Sequence, residues 1–299
     1  MDVRLKKLGS SRTEALVTVP EDSVRTAETE VLRDFSKRVE IKGFRPGMAP
    51  LERVRAAIAP DRFREEVVSR LVPGALREIV QTHKLQPIIR PRVELQSFLP
   101  MILKCTLVEK PEVTVGVKNV QAEVKKKREE RMAGKGHGQR QGQGKNGEQK
   151  DEPQDAHGED EQCALEAVAL HTKVELAPEL IEEEIGDVVE GHARRLAQFG
   201  LTLEGWLQKE GKTIEKFVEE VRPDVEKRLR TRFGILTLIR DFKLEVTEEE
   251  MRGAIEKLLQ PIPEAERSKL RGLYEPGGRA HEQFKFQRLM EKVLERLMT

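Results

Sequence analysis

An α+β N-terminal domain and an all-α C-terminal domain, separated by a polar segment in an elongated, multidomain chain, is the fold class this sequence predicts. Three observations predict it. Period-two and helical apolar patterns occur side by side in the first third of the 299 residues, the composition turns abruptly polar near Lys125, and the later apolar pattern is helical to the end. Composition agrees. Hydrophobic residues are 37%, charged residues 36% and aromatics only 4% of the chain, against typical values of about 45–50% apolar and about 25% charged. Such a chain buries its core in pieces, and helices with much solvated surface suit it better than a compact barrel.

The elements follow in order. Val3 and Leu5, then Ala15, Val17 and Val19, alternate with polar neighbours as half-buried strands do, and Gly9-Ser10-Ser11 between them reads as a hairpin turn. Pro20-Glu21-Asp22 opens a helix, because proline suits a first turn and acids favour the positive end of the helix dipole. Val24, Ala27, Val31, Leu32, Phe35 and Val39 give that helix one apolar face, and it stops at Gly43. Helical spacing resumes at Leu51 and runs through Val80, with an interruption expected at Pro73-Gly74. Arg92–Leu95 and Met101–Val108 read as strands.

From Lys125 to Gln162 Gly, Gln, Lys, Glu, Asp and His dominate, which predicts a disordered linker. Its charge is blocky. Residues 125–150 hold nine basic side chains against Glu129, Glu130 and Glu148, while the charged residues of 151–161 are all acids. Two such blocks attract each other. A solvated linker and an RNA-touching tail are both open readings of it.

Beyond the linker, Leu180, Ile181, Ile185, Val188, Val189, His192, Leu196 and Phe199 form one helical stripe, and a short helix surrounds Trp206. A long helix follows Thr213, with Pro223 as a bend. Thr247-Glu248-Glu249-Glu250 has the spacing of a capping box and starts another helix, which Pro261 ends. The last helix carries Phe284, Leu289, Val293, Leu294 and Leu297.

Chemistry is sparse. The net charge of +1 gives no global field for nucleic acid or an anionic membrane, so a charged partner must be met by a local patch. Cys105 and Cys163 lie far apart, which suits a reducing cytoplasm. No apolar run approaches the ~20 residues of a membrane helix, and Met1–Ser10 lacks a signal-peptide core, so a cytoplasmic location without membrane contact is expected. Histidines and cysteines lack metal-ligand spacing, and neither a nucleophile motif nor a phosphate-cradling loop is present. No catalytic residue, metal or cofactor is expected.

The loop Gly43-Phe44-Arg45-Pro46-Gly47-Met48-Ala49-Pro50 stands apart. Its glycines permit turns closed to other residues and its prolines stiffen it. Phe44 and Arg45 then place a large ring and a fork-shaped cation on one tip, a pairing suited to a ribonucleoprotein surface. The competing reading folds Phe44 inward beneath the sheet, and the residues alone do not choose between the two.

This octet resembles the GFRxGKxP signature of trigger factor, the bacterial ribosome-associated chaperone family. Gly43, Phe44, Arg45, Gly47 and Pro50 match, Pro46 falls at the variable position, and Met48 stands where the family has Lys. The C-terminal half is similar to the family's chaperone domain at Val174–Ile181, Trp206–Thr213, Arg222–Arg228 and Leu244–Glu250. The resemblance implies a ribosome-docking domain over 1–112, a polar linker over 113–163 and a helical chaperone domain with two arms over 164–299. It implies docking at the tunnel exit of the large subunit, on a ribosomal protein and rRNA, through Gly43, Phe44, Arg45, Pro46 and Gly47. Nascent or unfolded polypeptides are the implied clients, and weak self-association is a further expectation. Apolar side chains such as Met251, Leu258, Leu259, Leu289, Met290 and Met298 are candidates for client contact, with core packing as the alternative for each. The family's FKBP-type prolyl isomerase domain has no room in the polar interval, so no isomerase activity is expected. Two alternatives stay open: a prolyl isomerase of the trigger factor type, and an RNA-binding regulator using the basic block at 125–150.

Overall fold

The computed structural model describes residues 1–137 and 153–298. In chain order the first elements are β1 (Asp2–Lys7), β2 (Arg12–Thr18), α1 (Glu21–Arg38), α2 (Leu51–Ala57), α3 (Pro60–His83), β3 (Arg92–Phe98), β4 (Met101–Val108) and β5 (Val113–Val115). There follow α4 (Val117–His137), α5 (Pro153–His171), β6 (Thr172–Val174), α6 (Pro178–Gln198) and α7 (Leu203–Lys209). The last are α8 (Ile214–Asp241), α9 (Glu248–Leu259), α10 (Glu264–Leu273) and α11 (Arg279–Met298). They form two compact units, Met1–Glu112 with Glu175–Phe199, and Val113–Val174 with Gly200–Thr299.

The first unit is built on a four-stranded antiparallel sheet in the order β1-β2-β4-β3. Its opening hairpin turns at Ser10 and Ser11, both with positive φ (60° and 56°), the requirement of a type I′ turn. The alternation read from β2 is real: Thr13, Ala15 and Val17 point inward, and Leu103, Cys105 and Leu107 of β4 lie on the same face. Val24, Ala27, Val31 and Phe35 of α1 and Phe63, Val67, Ala75 and Ile79 of α3 close the core over that face. Arg70 ties the two helices together, its guanidinium meeting Glu30 at 3.0 Å and Asp34 at 2.5 Å. The expected break at Pro73-Gly74 is absent. Proline removes only the bond to the Ser69 carbonyl, whereas Val67 on one side and Ala75 and Ile79 on the other share one core and hold α3 continuous. Helix α6 also clusters with this unit, and its N-terminal end is tied to the sheet by Arg12–Glu179 (3.4 Å) and Arg92–Glu182 (3.3 Å).

In the second unit α4, α5, α8 and α11 surround one core: Val120 and Val124, Ala164, Ala167 and Val168, Ile235 and Leu238, then Val293, Leu294 and Leu297. A short antiparallel ladder joins β5 to β6. Helix α8 approaches α5 so closely at Gly234 that a β-carbon there would stand 2.7 Å from Val168 Cγ1 and nearer still to Thr172 Oγ1. At the far end Thr247 and Glu250 form the expected capping box, and Lys292 of α11 donates to Glu250 (2.8 Å) and to the Glu245 carbonyl (2.8 Å). Helix α10, with few apolar residues, was not foreseen from periodicity.

The composition of 125–162 predicts disorder, yet α4 continues through 125–137 and α5 resumes at Pro153; residues 138–152 lie outside the described residues. The two charge blocks do attract, but as facing helices. Arg128 donates to Asp160 Oδ2 through Nε (2.9 Å) and Nη2 (2.7 Å) and reaches the Met298 carbonyl through Nη1 (3.2 Å). Lys127 meets Glu166 at 2.9 Å and Lys227 of α8 meets it at 3.4 Å. The Lys127 ammonium, with Lys227 adding to it, holds the Glu166 carboxyl below the usual carboxylate range. Averaged composition hides such pairing, because the partners lie 32 and 39 positions apart.

Candidate functional site

The octet between α1 and α2 is two successive turns. Phe44 N–H donates to the Ile41 carbonyl (3.0 Å) with Gly43 at φ 92°, and Met48 N–H donates to the Arg45 carbonyl (3.0 Å) with Gly47 at φ 84°. Each places a positive-φ glycine third in the turn, and the second has Pro46 before it, the type II pattern. An alanine at either glycine would be strained, which explains their placement. The tip is fixed to its own unit: Gly47 N–H donates to the Ser36 carbonyl (2.7 Å) in the last turn of α1, and Ile41 and Ala49 pack against the core on either side.

What this frame presents is outward. Residues 42–48 are all exposed; Phe44 is 43% exposed and Met48 76%. The Arg45 side chain forms no hydrogen bond or ion pair with any described residue. Of the two readings open at the sequence level, the inward Phe44 is the one this geometry rejects. Gly43, Phe44, Arg45, Pro46 and Gly47 therefore sit together on one stiff, solvent-facing tip.

The six apolar candidates of the helical half are not brought together. Met251 and Leu259 are interior: with Ile255 they form the stripe of α9 that packs on Ile262, Leu270, Tyr274 and Phe284, and they correct to core residues. Leu258, one position off that stripe, is exposed. Leu289 is half-buried, and Met290 and Met298 pack against the four-helix core. Elsewhere, burial pushes the Cys105 thiol up to about 11, so it is an inert core group. Among the described residues no group of three or more His, Cys, Asp or Glu is placed to hold a metal ion.

One basic residue of the site was passed over. Lys37, in the last turn of α1, runs beside Gly47, its Cγ 4.0 Å from where a β-carbon on that glycine would stand. The Lys37-Arg38 pair just before the loop was the available signal.

A sheet-and-helix unit exposing an aromatic ring beside a guanidinium, followed by a mainly helical second unit with one short strand ladder, defines a two-unit α+β class of chain. Comparison with known proteins narrows that class. Residues 1–132 match the family profile described as bacterial trigger factor protein (TF), and residues 141–299 match that of the bacterial trigger factor protein (TF) C-terminus. The chain belongs to the trigger factor family. Curated relatives include the trigger factor of Caldicellulosiruptor bescii, 33% identical over 109 residues (36% of this chain, 25% of that one). Another is the trigger factor of Natranaerobius thermophilus, 28% identical over 114 residues (37% of this chain, 26% of that one). The chain thus spans about a quarter of the length of the curated relatives it matches. A solved structure from work on promiscuous substrate recognition in folding and assembly by the trigger factor chaperone superposes with a TM-score of 0.64 at 15% identity. It covers 100% of this chain and 99% of that one, a likeness of fold.

Proposed function

We propose that the chain is an ATP-independent, ribosome-associated chaperone that holds nascent and unfolded polypeptides. It docks at the tunnel exit of the large subunit, on a ribosomal protein and rRNA, through Gly43–Gly47. The observation that carries this reading is the tip: Phe44 is open to solvent and the Arg45 side chain makes no bond to a described residue, on a loop held at Gly47. A guanidinium so placed can donate bidentately to a phosphate or carboxylate at little ordering cost, worth roughly 1.5–3 kcal/mol per charge-assisted contact. Residues 1–112 are then the docking domain, joined in its compact unit by α6, and the helices of the second unit the client-holding part. Leu258 and the half-buried Leu289, Met290 and Met298 are the client-contact candidates that remain.

The test is co-sedimentation with purified ribosomes through a sucrose cushion. Phe44→Ala with Arg45→Ala should release the protein, by about 10- to 100-fold in affinity on the contact energies above; retention at wild-type levels would sink the proposal. We further propose that the chain lacks prolyl isomerase activity, since the two family matches leave only residues 133–140 between them. A protease-coupled assay on a proline peptide giving turnover above background would contradict that. The RNA-regulator reading is less favoured because Lys127 and Arg128 of the basic block are engaged by Glu166 and Asp160. Among the described residues no helix is long and apolar enough to cross a membrane, and a cytoplasmic site of action is proposed with the rest.

A further inference from the structure

We infer that Lys37 belongs to the same docking surface and meets an RNA phosphate there, so that the surface comprises the tip and the last turn of α1 together. The inference rests on the docking reading of the tip and names part of its ligand chemistry. The tip is not isolated from α1: the Gly47 N–H bonded to the Ser36 carbonyl at 2.7 Å lays the second turn against the residue before Lys37. The Lys37 stem passes Gly47, its Cγ at an ordinary contact distance of 4.0 Å from where a β-carbon on that glycine would stand.

The ammonium is available. Its Nζ lies 3.7 Å from Asp34 Oδ1, the long end of an ion pair, and the side chain is 71% exposed. Asp34 is engaged more closely by Arg70, whose hydrogen bond is the foremost reason its carboxyl lies below the usual range. Between Ser36 and Pro50 the charged residues are Lys37, Arg38, Lys42 and Arg45 against Glu40 alone, in a chain whose total charge is only +1. Of these, Lys37, whose stem lies against Gly47, stands within one Debye length of the tip, about 8–10 Å at ordinary salt. Met48, the most exposed apolar side chain of the tip, contributes no charge. Phosphate is the favoured ligand because lysine is a compact point charge that binds it without fixed geometry, and because a charged backbone rewards several cations spread over one face.

The experiment measures binding of the full chain to purified ribosomes over a series of potassium chloride concentrations. Lys37→Gln should weaken binding by about 3- to 10-fold at low salt and make the slope of log affinity against log salt shallower by about 0.7–0.9, as loss of one phosphate contact requires. Lys6→Gln, on the exposed edge strand, should change neither. Lys37→Gln with Met48→Lys should restore the slope, since it returns the charge to the same patch from another backbone position. Unchanged affinity and slope for Lys37→Gln would overturn the inference. Weaker binding with an unchanged slope would overturn the phosphate assignment in favour of a protein carboxylate or packing contact. Failure of the underlying reading is distinguishable: there the Phe44/Arg45 double variant itself stays bound.

Discussion

Gly234→Ala is a substitution that helix propensity alone would call stabilising, and the structure reverses its sign. Alanine in a helix interior is favoured over glycine by about 0.5–1 kcal/mol. At Gly234, however, the new methyl would lie 2.7 Å from Val168 Cγ1 and 3.5 Å from Thr172 Cβ. Neither neighbour yields easily. Both are β-branched and stiff about χ1; Thr172 is buried, and its hydroxyl donates to the Val168 carbonyl at 2.6 Å. Overpacking of this kind costs about 1–3 kcal/mol, so a net destabilisation of about 1–2 kcal/mol is expected. Gly253→Ala in α9 is the matched control, because nothing lies within 4 Å of its β-carbon position, and it should stabilise by about 0.5–1 kcal/mol. Trp206 is the chain's single tryptophan and lies in the same unit as both glycines. Urea unfolding followed by its fluorescence therefore reads this unit alone. With a urea slope of about 1–3 kcal/mol per molar, the two midpoints should differ by roughly 1 M. A Gly234→Ala protein at least as stable as Gly253→Ala would refute the close-approach argument.

Three further outcomes are expected. Gly47→Ala forces an L-residue to φ 84° and should cost about 1–2 kcal/mol locally, seen as faster hydrogen exchange across 41–50 and weaker ribosome co-sedimentation. Ser11→Gly relieves a positive φ of 56° in the first hairpin and should raise the stability of the first unit by up to about 1 kcal/mol, measured by calorimetry. Glu250 is held below its ordinary value of 4.5, first by the Lys292 hydrogen bond. Its contribution is therefore full above the unfolded value and lost as pH falls through the lower folded one. Glu250→Gln should then melt below wild type at pH 6, the gap closing as pH falls below 4.5; a gap that persists in strong acid would exclude the ion pair as its cause.

Much of the fold was legible because single elements carry their own periodicity. Ala15 and Val17 alternate along a strand, and Val24, Ala27, Val31 and Phe35 recur along α1, so the inner faces of both could be named from sequence. The tip was legible for a related reason: Pro46-Gly47 and Gly43 spell their turns locally. The losses fall where stability is not local. In α4 and α5 the charged residues between Lys125 and Gln162 give no apolar stripe; the helices are held by the core that Val120, Val124, Ala164 and Ala167 share, with Arg128 and Asp160 pairing beside it. Pro73 looks like a stop until the core on either side of it is seen. Met251 and Leu259 could serve client contact or the core, and only the packing of α9 on Tyr274 and Phe284 shows which side of the helix is spent on the interior.

The core of the second unit also dictates when it can exist. Val120 and Val124 sit beside Val293, Leu294 and Leu297, so closing it joins segments separated by roughly 170 residues, and contacts of such separation form late. During synthesis the sheet unit's strands are complete long before α11 has emerged. A newly made chain would thus hold its four-stranded sheet while the core of the helical unit is still open.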